Sequence, residues 1–80
     1  MKVAILTFGI AKEIVGAPSF YFEMEEGATV NDLKQQLEKT FPRLKALSSY
    51  RIAVDSEFAG EEQSIHHYSE IAIIPPVSGG

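Results

Sequence analysis

The eighty-residue sequence predicts an α+β domain in which one main helix lies across one face of a mixed sheet. Three observations carry that expectation. Residues 3–8 and 71–74 are apolar at odd and even positions alike, the pattern of strands covered on both faces. Between them, Phe20, Phe22 and Met24 alternate with Tyr21, Glu23 and Glu25, the pattern of a strand with one wet face. One segment, from Val30 to Phe41, carries apolar residues at helical spacing over about three turns.

Taken in order, Val3, Ala4, Ile5, Leu6, Thr7 and Phe8 form a β-branched and aromatic run that belongs in the middle of the sheet. Gly9 breaks it. Ile10, Ile14 and Val15 then suit a short helical turn ending at Gly16, which leaves Lys12 and Glu13 on a solvated face or against a partner. Pro18 opens the alternating strand, a hairpin partner for the first. Its charged face suits a sheet edge that must avoid pairing with other chains, and its aromatics suit the core. Gly27 closes that strand, Thr29 is a good N-cap for the main helix, and Asp32 stands in the acidic first turn. Val30, Leu33, Leu37 and Phe41 make the buried stripe, and Pro42 stops the helix.

Residues 43–49 read as a short helical connection pinned by Leu44 and Leu47. Residues 50–54 are a third strand that turns at Asp55-Ser56, with Phe58 a lone apolar residue beyond the turn. Residues 60–69 read as a polar, irregular loop. It holds His66 and His67, the only histidines; adjacent residues on an extended segment point to opposite sides, so a solvated loop is expected rather than a metal site. The last strand runs straight into Pro75 and Pro76, which end it and project the remaining residues away from the body in an extended conformation. The chain thus divides into a domain over residues 1–74 and an extended tail over 75–80. Gly79 and Gly80 lack Cβ atoms, so they can thread a narrow channel and let another backbone approach the terminal carboxylate. A frayed terminus is the competing reading of Gly-Gly.

A chain of eighty residues allows a core that supplies only ~3–5 kcal/mol without staples, and the absence of cysteine removes disulfide and thiolate-metal staples alike. A formal net charge of -4 argues against nucleic-acid binding and favours a partner with a basic docking face. The opening apolar run is too short to span a membrane and lacks the signal-peptide pattern, so a cytoplasmic protein without membrane contacts is expected.

Strand, strand, helix, strand and final strand, with the first and last paired in parallel at the centre, make a β-grasp sheet. Several stretches fit one known family: the opening strand ending in Phe8, Ala11-Lys12-Glu13-Ile14-Val15-Gly16, Thr29-Val30 with Leu33 and Leu37, Ala53-Val54, and Pro75-Pro76-Val77-Ser78-Gly79-Gly80. On these residues the chain resembles the MoaD family, ubiquitin-like sulfur carriers that serve as small subunits of molybdopterin synthase. The resemblance implies that the Gly80 carboxylate is adenylated by an ATP-dependent enzyme resembling MoeB and converted to a thiocarboxylate. It further implies that the tail, Pro75 through Gly80, enters a large subunit resembling MoaE and gives its sulfur to cyclic pyranopterin monophosphate. Phe8, Phe58 and Ile74 match positions at the family's subunit interface, with burial in the chain's own core as the competing place for each. By the same resemblance this chain binds no cofactor, ATP is used by the activating partner, catalytic side chains belong to the partners, and a hetero-oligomer forms with the large subunit. Two departures stand out: Asp55 replaces the family's usual Asn, and Tyr68-Ser69-Glu70 replaces a Gly-containing acidic turn. Sulfur carriers for thiamine or tRNA thiolation share the Gly-Gly end, as do ubiquitin-like modifiers joined to lysines; an interaction module with an inert tail is a third class.

Overall fold

The computed structural model describes residues 1–47 and 49–76. Eight elements follow one another: β1 (Lys2–Thr7), α1 (Gly9–Val15), β2 (Ser19–Glu23), α2 (Val30–Thr40), α3 (Pro42–Lys45), β3 (Arg51–Val54), β4 (Glu57–Phe58) and β5 (Glu70–Ile74). The strands form one sheet in the order β2-β1-β5-β3-β4. β1 and β5 are parallel neighbours at its centre, and every other pairing is antiparallel. This is the β-grasp arrangement expected from the chain's apolar pattern.

The period-two register of the central strands decides where the core lies. Val3, Ile5, Ile71 and Ile73 point to the helical side and are fully buried there with Leu33, Leu37 and Leu44. α2 binds that face because its apolar stripe spans Val30, Leu33 and Leu37. Its start is fixed by a capping box: Asp32 N–H donates to the Thr29 hydroxyl at 3.3 Å, and Thr29 N–H donates to the Asp32 carboxylate at 2.9 Å. Pro42 ends α2 and opens α3, where its missing N–H costs nothing. α1 ends at Gly16, whose left-handed backbone (φ 89°) lets its N–H return to Lys12 O at 2.8 Å.

Tyr50 ties α2 to the start of β3. Its hydroxyl donates to Glu38 at 2.5 Å, and Lys34 Nζ lies 5.0 Å from its ring centroid. Burial of the phenol, and then the Glu38 carboxylate beside it, raises the Tyr50 pKa well above the ordinary tyrosine range.

Two parts of the fold differ from the sequence expectation. Phe58 is no isolated residue: with Glu57 it forms β4, a fifth strand paired to Ala53 and Val54. A two-residue strand has no period to read, and its hairpin rests on Asp55 and Ser56 at φ 51° and 70°. Within the polar loop, Ile65 is 1% exposed because its N–H pairs with Ala28 O and draws it under the sheet. A single apolar residue among polar ones gives no pattern to detect. Asp55 fills its turn well, its carboxylate accepting from Glu70 N–H at 2.9 Å.

Candidate functional site

The face of the sheet turned away from α2 carries the chain's apolar surplus. Leu6 lies opposite Ala72, Ala72 opposite Ala53, and Ala53 opposite Phe58, so one apolar row crosses four strands. A groove of about 280 Å³ runs there, lined by Leu6, Phe8, Ala53, Ser56, Phe58, Glu70, Ala72 and Ile74. Two alanines keep the middle low, while larger side chains stand around them.

Phe8 and Phe58 are 48% and 57% exposed, so neither is a core residue. Phe8 stands out because the chain turns there: its backbone is still extended, and its carbonyl accepts from Ala11 and Lys12 as α1 begins. Phe58 stands out because β4 is the sheet edge, and the Arg51 guanidinium lies 3.9 Å from its ring centroid. Ile74 is half-buried on the same face, opposite Arg51, and leads directly into the tail.

Pro75 is half-buried and Pro76 exposed at the tail root. Gly9 holds φ 54°, and a Cβ placed on it would stand 3.3 Å from Pro75 Cγ, so the turn after β1 and the foot of the tail fit closely. The sequence-predicted site residues Phe8, Phe58 and Ile74 thus line one groove, with Phe58 level with Ala72 at mid-strand, while Pro75 and Pro76 follow Ile74 at its tail-bearing end. Val77, Ser78, Gly79 and Gly80 lie outside the described residues.

Leu6, Ala53, Ala72 and Arg51 were not assigned to the site from sequence, although Ala53 stands in a stretch that carries the family resemblance. The first and third were within reach, as the outward set of two strands apolar on both faces. Ala53 and Arg51 join the site only through register with β5, which a sequence does not print. A larger hollow of about 840 Å³ lies at the opposite end, but Glu23, Glu25, Glu26 and Asp32 border it and its lining is mostly polar. His66 stacks on Tyr68 at 5.1 Å and His67 meets the same ring edge-on at 5.2 Å. Among the described residues, no three His, Asp or Glu side chains converge as a metal site, and no helix is long and apolar enough to cross a membrane.

The architecture, with its apolar face beside the Pro75-Pro76 root of the C-terminal segment, is that of a ubiquitin-like β-grasp carrier. More particularly, the chain belongs to the ThiS family, whose model matches residues 5–80. The MoaD resemblance read from its motifs holds across the full length. The molybdopterin synthase sulfur carrier subunit of Arabidopsis thaliana is 32% identical over 81 residues, covering all of this chain and 84% of that protein. The small archaeal modifier protein 1 of Methanosarcina acetivorans superposes with a TM-score of 0.80 at 26% identity, over 99% of this chain and 96% of that one. A complex of subunits 1 and 2 of the molybdopterin-converting factor of Helicobacter pylori contains a chain matching at TM-score 0.69 and 20% identity, with both chains fully covered.

Proposed function

We propose that this chain is the sulfur carrier subunit of a molybdopterin synthase. The observation that carries the reading is the juxtaposition of the apolar groove with the root of a Pro-Pro arm that leads to Gly79-Gly80. The Arabidopsis relative bears that function in its name, and the Helicobacter pylori chain is solved in complex with a second subunit.

In this reading the body docks and the tail reacts. A carboxylate is ionised at neutral pH and is a poor electrophile, so Gly80 first needs activation. A MoeB-like enzyme transfers AMP from ATP to the Gly80 carboxylate, releasing pyrophosphate. A sulfur nucleophile then displaces AMP and leaves a thiocarboxylate. Docked on a MoaE-like large subunit through Phe8, Phe58 and Ile74, the tail delivers that sulfur to cyclic pyranopterin monophosphate. Water restores the carboxylate, and two rounds supply the two sulfurs of the dithiolene. Gly79 and Gly80 give the clearance such a channel needs, and Pro75, Pro76, Val77 and Ser78 span the distance from the body. The chain contributes no general acid, base or bound cofactor. We place it in the cytoplasm, where both partners would act.

Intact-mass measurement on protein isolated from its own cells tests the chemistry. The expected species has one oxygen replaced by sulfur, and deletion of Gly80 removes it while leaving the thermal transition unchanged. The likeness to an archaeal modifier protein favours one second reading, conjugation through Gly80 to lysines. Protein-sized adducts in place of the sulfur-bearing species would establish that reading.

A further inference from the structure

The charged side chains are sorted along the axis of the sheet. β1 and β5 run from an end where Lys2 faces Glu23 and Glu70 opens β5, to an end where Thr7 and Ile74 lead into α1 and Pro75. α2 starts beside Glu61 and Gln63, at the first end, and finishes where Phe41 packs on Phe20, opposite Ile5; α3 then meets α1. The tail-bearing end therefore collects Lys12, Lys39, Arg43, Lys45 and Arg51, all exposed, against only Glu13 and Glu38. Glu38 is already engaged by Tyr50.

The far end is the reverse. Glu23 ends β2 there and Glu25 and Glu26 follow it, Asp32 stands in the first turn of α2, and Glu61 and Glu62 lie beside it. Asp55, Glu57 and Glu70 surround the β3–β4 turn, and the cations there are Lys2, Lys34 and the Met1 ammonium, Lys34 lying 3.8 Å from Glu61 and the ammonium 2.9 Å from Glu23. All seven cationic and eleven anionic side chains belong to the described residues. Among side chains, five cations against two carboxylates leave the tail end at +3, two against nine leave the far end at -7, and together they make the chain's -4; the Gly80 carboxylate on the tail takes one charge from the first sum and the Met1 ammonium cancels one in the second.

We propose that the tail-bearing end is an electropositive docking pole, and that the protein receiving the tail surrounds its channel entry with carboxylates. The ends of a six-residue strand are separated by roughly 17 Å, about twice the Debye length of about 8 Å at physiological salt. A partner therefore feels the two poles separately, and the net charge of the chain misstates what its docking end presents. A carboxylate-rimmed entry attracts the tail end and repels the other, which orients the encounter before the groove makes contact. Arg51 is the member of the cluster placed on the groove itself. Stacked on Phe58 and opposite Ile74, it is held ready, and neither ion pair among the described residues occupies it.

The inference rests on the proposed function, since it concerns the large subunit that accepts the tail. Stopped-flow association of the full chain with its cognate large subunit, at low and high salt, tests it. The triple reversal Lys12→Glu, Arg43→Glu, Lys45→Glu lies outside the groove and on exposed helical surface. It should slow association at least ~10-fold at low salt, with the difference closing as salt screens it. The milder Lys12→Gln, Arg43→Gln, Lys45→Gln triple should fall between, which guards against misfolding of the reversal. Neutralising Glu25→Gln, Glu26→Gln, Glu62→Gln at the far end should not slow association. Reversal variants that associate as fast as the unaltered chain, or faster, would overturn the proposal in favour of a basic docking face. An unaltered chain that binds the large subunit at no salt concentration removes the proposed function, and this inference with it.

Discussion

Truncating Phe58 to alanine probes the groove at the side chain it exposes most. Phe58 is 57% exposed and stands on an edge strand of two residues, so its ring adds little to the core. An aromatic side chain presents roughly 150–250 Å². At 57% exposure about 100 Å² is left for a partner to cover, and at ~25 cal/mol per Å² its burial contributes about 2.5 kcal/mol to docking. Alanine retains only a small part, so the expected loss is about 2 kcal/mol, or ~30-fold in Kd. Arg51 loses its stacking surface in the same variant, which adds to the loss. Isothermal titration against the large subunit reads the affinity, and thermal unfolding of the free chain reads the fold. The Tm should stay within about 4 °C of the unaltered chain, a stability change below ~1 kcal/mol. An unchanged Kd, or a Tm drop of the size a core truncation gives, would refute the assignment of Phe58 to docking.

Tyr50→Phe removes the hydroxyl that donates to Glu38 and should cost about 1 kcal/mol near neutral pH, read by denaturant unfolding. Because the fold raises the Tyr50 pKa, its contribution is complete below the unfolded tyrosine value and fades as pH climbs beyond it; the phenylalanine variant should lose this part of the alkaline dependence. Gly9→Ala forces a side chain onto φ 54° and brings a methyl to 3.3 Å from Pro75, so Tm should fall by several degrees, corresponding to ~1–2 kcal/mol. A Tm equal to that of the unaltered chain would show that the foot of the tail gives way at no cost.

The fold was legible wherever a pattern repeats. Two strands apolar on both faces announced the central pair, and Thr29 with Asp32 announced the start of α2 to the residue. Features carried by one residue were lost: Ile65 sits alone in a polar stretch, and β4 is too short to alternate. The site followed the same rule. Phe8, Phe58 and Ile74 came from matching positions in a known family, whereas Arg51 and Ala53 reach the groove through cross-strand register set by β5. Charge was the least legible of all, because composition sums the two poles that the topology keeps apart.

The placement of β5 also decides how the molecule bears a pull. The arm continues from a strand hydrogen-bonded along both flanks, to β1 over four register pairs and to β3 over four more. Both ladders run across the direction of β5, so tension applied along that strand at Pro75 loads their hydrogen bonds together, in shear, instead of opening them one after another. A strand at the sheet edge would peel. When a partner grips the arm and lets go, the central strand acts as an anchor that shares the load across the whole sheet.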